Sequence, residues 1–264
     1  MSGEREHFDW RIWGYSFLAA DLPPAFPGGP SHKAGSPLFI STLTRTKEGE
    51  LIGFVRPRPA ALAMNIAIQN AKQASRLRQT LAISPSVTPH GMGNHVHVNN
   101  TPHLYDFFEG CMVSVTFSHQ ALEIFCNEVI TAYVKTTIPI MSNKKIKHFN
   151  KSQLQDNLSL KMKIGTVLPK IFSISSPEEL KDKKIWNQYI ELERVRNSTI
   201  HFNSVDDTAG TNIDRESLFF EFFKTDVKNY PIFSLDVIDF FKPHFKNQAN
   251  EKWVEKARQI LNRE

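Results

Sequence analysis

The sequence predicts a mainly α-helical protein, a helical bundle preceded by an N-terminal extension of mixed α/β character. Three observations point there. From residue 104 onward, apolar residues recur at helical spacing through several long segments. One of these is preceded by a helix-start signal, Ser176 followed by Pro177 and the acids Glu178 and Glu179. The first hundred residues instead alternate Pro/Gly-rich loop with short β-type runs. The expected division is therefore 1–103 for the extension and 104–264 for the helical domain. With 264 residues, 41% hydrophobic and 20 of them phenylalanine, the chain can bury a sizeable core.

In chain order, DLPPAFPGGPSHKAGSP (21–37) is loop by its prolines and glycines. SPLFISTLTRTKEGELIGFV predicts a β-hairpin, two apolar runs around a charged turn with Gly49. Residues 60–82 are good helix formers ending in a basic turn. ISPSVTPHGMGNHVHVNNTPH is expected to be loop with at most a short strand. LYDFFEGCMVSVTFSHQALEIFCNEVITAYVK predicts one long helix or two abutting ones, and SNKKIKHFN a basic connector. A helix around 152–164 should break at Pro169. The next is expected to start at Ser176 and run to about Phe202, with further helices at 213–226, 231–242 and the C-terminal end. No internal repeat is visible.

Charge and cysteine usage narrow the class. The net charge is +5, and residues 135–170 concentrate eight lysines against the single acid Asp156. Such a basic island suggests a polyanion footprint, although a solvated lysine-rich loop would look the same. Lys144, Lys145, Lys147 and Lys151, with His148 and Phe149 interleaved, fit a phosphate-tracking RNA-binding patch with one stacking ring. Cys111 and Cys126 are too few for a disulfide framework. No apolar run suggests a membrane span and the N-terminus lacks a signal-type apolar region, so the expectation is a cytoplasmic protein with no membrane partner.

The chemistry concentrates in ELERVRNSTIHFNS, residues 191–204. On a helical wheel Arg196 falls inside the apolar arc of Leu192, Val195 and Thr199, while Asn197 and His201 stack at i, i+4 on a neighbouring face. A charge among apolar neighbours is costly unless paired. Glu128 sits equally oddly among Phe117, Ala121, Ile124 and Ala132 on the long first helix, so one reading is a structural Glu128–Arg196 ion pair. The other is functional: the arginine fork suits phosphate, the histidine can move a proton, and Asn197 can fix the imidazole tautomer. No metal is needed for a 2′-hydroxyl to attack its own phosphodiester.

Arg196-Asn197-Ser198-Thr199-Ile200-His201 resembles R-N-x-x-x-H, a form of the R-x(4–6)-H signature of HEPN domains (higher eukaryotes and prokaryotes nucleotide-binding). ALEIFCNEVI, with Asn127-Glu128, is similar to that family's first helix, and SLKMK (159–163) looks like its short helix-and-lysine segment. The resemblance covers roughly residues 104–205. It implies a HEPN-like helical bundle that dimerises and a metal-independent, cofactor-free endoribonuclease of toxin–antitoxin or anti-phage defence type. It implies catalytic Arg196 and His201, a supporting Asn197, Glu128 as a supporting acid, and an antitoxin or defence-system partner protein. The position two residues after the histidine is Asn203, not the tyrosine of the family's nucleotide-modified variant. The competing expectation is a non-catalytic nucleic-acid- or protein-binding module in which Arg196 is structural.

Three other features are weaker. His90, His95, His97 and His103 crowd one segment, yet no cysteine or carboxylate lies near them before Asp106, so a polar loop is expected rather than a metal site. GMG lacks the strand–helix context of a nucleotide loop. Ser118-His119 has no nucleophile geometry and is expected to lie on an exposed helix face.

Overall fold

The computed structural model describes residues 9–13, 15–24, 27–88, 91–142, 145–179, 183–201, 218–245 and 252–263. It is mainly helical with small antiparallel two-stranded sheets. The N-terminal part forms a ribbon. β1 (Tyr15–Phe17) pairs with β2 (Pro37–Phe39), and β3 (Ser41–Arg45) pairs with β4 (Leu51–Val55). This is the predicted hairpin, and its turn places Gly49 at φ +89°, where a Cβ would be strained. Leu43 and Leu51 on the ribbon stay exposed.

α1 (Pro59–Thr80) follows from an alanine-rich run that favours helix. Its buried face of Ala60, Ala63, Met64, Ala67, Ile68, Ala71 and Ala74 lies along α2 (Thr101–Tyr133), a single helix of 33 residues. Small side chains let the two backbones come close. At Gly110 of α2 an added Cβ would stand 3.2 Å from the Ala74 Cβ. The helical body therefore reaches back before residue 104, since α1 supplies residues to both apolar clusters of the core.

Between these helices the chain makes a hairpin, β5 (Ile83–Thr88) with β6 (Gly91–Val96), where loop was expected. After α2 a second unexpected hairpin, β7 (Ile138–Ser142) with β8 (Lys145–Phe149), replaces the basic connector. It is pinned by Lys170 Nζ, which donates to Pro139 O at 2.6 Å. The helix expected at 152–164 is split. α3 (Lys151–Asp156) is closed by an Asn150–Gln153 capping box, α4 (Leu160–Met162) is capped by Ser159, and a π-turn over 163–167 leads into α5 (Leu168–Phe172). Pro169 starts a helix rather than breaking one, because its missing N–H costs nothing in a first turn. The stop comes at Ser173, with φ +56°.

α6 (Lys184–Ile200) does not begin at Ser176. The serine hydroxyl does accept from Glu178 N at 3.2 Å, and Glu179 Oε2 accepts from Ser176 N, but this forms a local turn ahead of the helix. α7 (Leu218–Lys224), α8 (Asn229–Phe241) and α9 (Lys252–Asn262) complete the described helices; residues 213–217 of the helix expected at 213–226 lie outside the described residues. The larger cluster joins α1, the C-terminal half of α2, α3–α5, the first half of α6 and α8–α9 around Phe125, Leu168, Tyr189 and Phe241. The smaller one gathers Phe107, Cys111, Val115, Leu192, Val195 and Phe222. Arg258 on α9 bridges Asp236 and Asp239 of α8, each at 2.6 Å, and locks the C-terminal helix down. Among the described residues no helix is long and apolar enough to cross a membrane.

Candidate active site at the α2–α6 seam

Glu128 is buried and paired, but not with Arg196. Its Oε2 accepts from both Nε and Nη2 of Arg58 at 2.8 Å, with the two side chains only 8% and 10% exposed. Arg58 lies just before α1, with its guanidinium 5.8 Å from the Trp13 ring and 5.3 Å from that of Trp253. A forked, weakly hydrated cation suits such a box. The wheel was right that Glu128 needs a buried cation. The pairing expected with Arg196 is overturned because Arg58, 70 residues earlier, fills the role.

That frees the arginine of α6. Arg196 is half-buried and pairs with no carboxylate among the described residues; its Nη1 donates to Asn197 Oδ1 at 3.1 Å. Asn197 is exposed and holds the arginine instead of the imidazole expected to be its partner. His201 is the residue on which α6 ends. Its backbone N donates to Asn197 O at 2.9 Å, and its side chain is exposed. Thr199 and Ser198 turn their hydroxyls back onto backbone carbonyls of Arg196 and Arg194, so neither competes for this surface.

The seam carries groups that sequence reasoning missed. α6 packs antiparallel on α2: Trp186 and Tyr189 share one apolar cluster with Ala121, Leu122 and Phe125, and Leu192 and Val195 share the other with Cys111 and Val115. Ser118 and His119 are buried, not exposed. Burial, and next the charge of Arg196, lower the pKa of His119 below that of a free imidazole, with Glu123 and Glu193 opposing. One turn on, Glu123 meets Lys163, whose Nζ lies 3.3 Å from Glu123 Oε1 and 2.7 Å from Gln155 O. Lys163 has 0% exposure, so the lysine of the SLKMK segment is an interior strut. On the α6 side the Tyr189 hydroxyl donates to Glu193 at 2.7 Å; burial and that bond push its pKa far up. A lysine within a basic run, and a serine–histidine step within an apolar helix, carry no local signal of burial. The i, i+4 spacing of His119, Glu123 and Asn127 was the available clue.

The basic patch lies elsewhere. Lys145, Lys147 and His148 are exposed on β8 and Lys151 is exposed at the start of α3; Lys144 lies outside the described residues. Phe149 packs against the main core, so the exposed ring of this patch is His148 rather than the phenylalanine. Beside it a cleft of about 740 Å³ is lined by Lys135, Lys151, Thr136, Thr137 and Ser152. This region adjoins the C-terminal end of α2, fourteen residues beyond His119, or roughly 20 Å along the helix. The patch and the Arg196–His201 motif are thus not brought together within one chain.

His95, His97 and His103 lie on or beside β6 and α2, with His103 Nδ1 3.0 Å from Asn100 Nδ2, and His90 lies outside the described residues. Among the described residues no group of three or more His, Cys, Asp or Glu could hold a metal ion. Compared with known proteins, the chain matches no family model, no curated protein and no solved structure.

Proposed function

We propose that this protein is a metal-independent endoribonuclease of the HEPN type, acting in toxin–antitoxin or anti-phage defence. The observation that carries the reading is the guanidinium of Arg196: half-buried in the seam, without a carboxylate among the described residues, and five residues before His201, on which the helix ends. Glu128, the acid that could have paired with that arginine, is held by Arg58 instead. A cation left without a counter-ion in such surroundings favours an anion from outside.

In this reading Arg196 stabilises the charge that builds on the phosphodiester, and Asn197 steadies the guanidinium. His201 moves a proton as the ribose 2′-hydroxyl attacks phosphorus and the 5′-oxygen leaves. A second copy of α6 facing the first would complete a composite cleft, so a homodimer is part of the proposal. Lysines 145, 147 and 151 would hold more distant phosphates.

Incubating the purified full chain with RNA in EDTA tests this. Fragments ending in 2′,3′-cyclic phosphate are expected, with loss of cutting in Arg196→Ala and His201→Ala proteins that retain the wild-type melting temperature. A folded His201→Ala protein that cuts like wild type would sink the enzyme reading. The separation of the basic hairpin from the motif favours a second reading, a non-catalytic RNA- or protein-binding module, which the absence of any cleavage by wild type would support.

A further inference from the structure

We propose that the cleft between the C-terminal end of α2 and the start of α3 is a phosphate-recognition site for RNA, separate from the Arg196–His201 motif. The fold sorts the lysines of the basic segment into two groups. Three have partners within the chain: Lys163 on Glu123 and Gln155 O, Lys170 on Pro139 O, and Lys161 over the Trp186 ring at 5.9 Å. The other described ones, Lys135, Lys145, Lys147 and Lys151, are exposed and pair with no carboxylate among the described residues. Lys135 and Lys151 line the cleft of about 740 Å³, and β8, with Lys145 and Lys147, leads directly into α3.

The lining is suited to an anion. It contains no acid; Asp156, the nearest along the chain, lies outside it and accepts from Ser152 Oγ at 2.8 Å. Gln155 donates its amide to Asn127 O and Thr131 Oγ1, and Asn150 closes the capping box of α3. The groups left for a ligand are the two ammonium ends and the hydroxyls of Thr136 and Thr137, which are exposed and make no hydrogen bond among the described residues. A phosphate among these cations relieves their mutual repulsion and releases counterions. The volume is that of a ligand site, and the exposed His148 ring on β8 offers a stacking face. A concave site with a ring favours a nucleotide unit over an acidic protein surface. Val195, beside Arg196, shares an apolar cluster with Val115 of α2, and the cleft begins at Thr131, sixteen residues or about 24 Å further along that helix. The inference deepens the ribonuclease reading, since RNA would be gripped well away from the bond that is cut; only the choice of RNA as the phosphate source rests on that reading.

The backbone amide signals of Thr136 and Thr137, assigned with Thr136→Val and Thr137→Val proteins, are followed by NMR in the full chain. Titrations use inorganic phosphate, a 5′-mononucleotide, a 2′-O-methyl oligoribonucleotide that cannot be cut, and a poly-glutamate peptide. The oligonucleotide is expected to move both signals and to bind at least tenfold more tightly than the mononucleotide. Lys135→Gln/Lys151→Gln should weaken it tenfold or more and flatten its log–log salt dependence by about 1.4, two contacts at roughly 0.7 each. A mononucleotide that binds as tightly as the oligonucleotide assigns the site to a free nucleotide and keeps the phosphate chemistry. Signals unmoved by every phosphate ligand, or moved as strongly by poly-glutamate, overturn the inference, as does unchanged affinity in the folded double variant. Binding at the cleft with no cleavage by wild type keeps the site and removes only the enzyme reading; cleavage with unmoved threonine signals removes only the site. Should the double variant not fold, the wild-type titrations decide.

Discussion

Truncating Arg58, Glu128 and Arg196 to alanine, singly and as the pairs Arg58/Glu128 and Arg196/Glu128, separates the two partners that Glu128 could have. The Arg58–Glu128 pair is nearly sealed from water and held by two hydrogen bonds of 2.8 Å. Removing either member leaves a buried charge, which typically costs about 3–5 kcal/mol. For Arg58 the loss includes the stacking against Trp13 and Trp253, each worth roughly 0.5–2 kcal/mol. At about 2–4 °C per kcal/mol for a chain of this size, each single variant should melt roughly 10 °C below wild type. The double variant should lose far less than the sum, with a coupling of about 2–3 kcal/mol. Among the described residues the Arg196 side chain hydrogen-bonds only the neighbouring amide, so its truncation should stay within about 0.5–1 kcal/mol and show no coupling to Glu128. Urea unfolding followed by tryptophan fluorescence reads all five proteins. A measurable Arg196–Glu128 coupling, or an Arg58→Ala protein as stable as wild type, would refute the assignment and restore the structural explanation of Arg196.

Three further outcomes are expected. Replacing Lys145, Lys147 and Lys151 with alanine should weaken single-stranded RNA binding and flatten its log–log salt dependence by about 2, at roughly 0.7 per phosphate contact; an unchanged slope would remove the hairpin from the interface. Burial pushes the Cys111 thiol up to about 12, and that of Cys126 higher still, so neither should react with iodoacetamide at pH 8 until urea unfolds the chain. Because the folded pKa of His119 lies below its ordinary 6.5, the unfolded chain takes up a proton first. In phosphate-free buffer, stability should therefore fall as pH drops through about 6.5 and level off below the folded midpoint. Urea midpoints between pH 5 and 8 should lose that slope, at most about 1.4 kcal/mol per pH unit, in His119→Asn; identical slopes would count against a neutral buried ring.

What was legible in the sequence was what repeats along one helix. The apolar stripe of α2 and the alanine-rich face of α1 are local patterns, and both helices lie within a few residues of their expected bounds. The β3–β4 hairpin was legible through Gly49 and its flanking runs. The hairpins β5–β6 and β7–β8 were not, because strands of five or six residues with a proline or alternating lysines read as loop. Ser176 carried a sound start signal, yet such a signal closes any single turn, and only packing decides whether a helix continues from it.

The buried charges show the same limit more sharply. A wheel identifies a misplaced acid such as Glu128 but ranks only partners that sit on helices, and Arg58 precedes its helix. The consequence reverses the weight of the motif. While Arg196 had a plausible structural partner, the arginine said little about chemistry and His201 had to carry the case. With Glu128 assigned to Arg58, the guanidinium needs an explanation of its own, and the α2 helix that α6 packs against buries Ser118 and His119 on a face first read as exposed. Lys163 bears on how rigid that face is. It is fully buried, tied to Glu123 and to Gln155 O, so it fixes the turn of α2 immediately after His119. If the seam is a preorganised anion site, Lys163→Met should loosen Glu123 and weaken oligonucleotide binding as well as stability. A purely structural lysine would lower stability alone, and comparing the two losses in one variant distinguishes them.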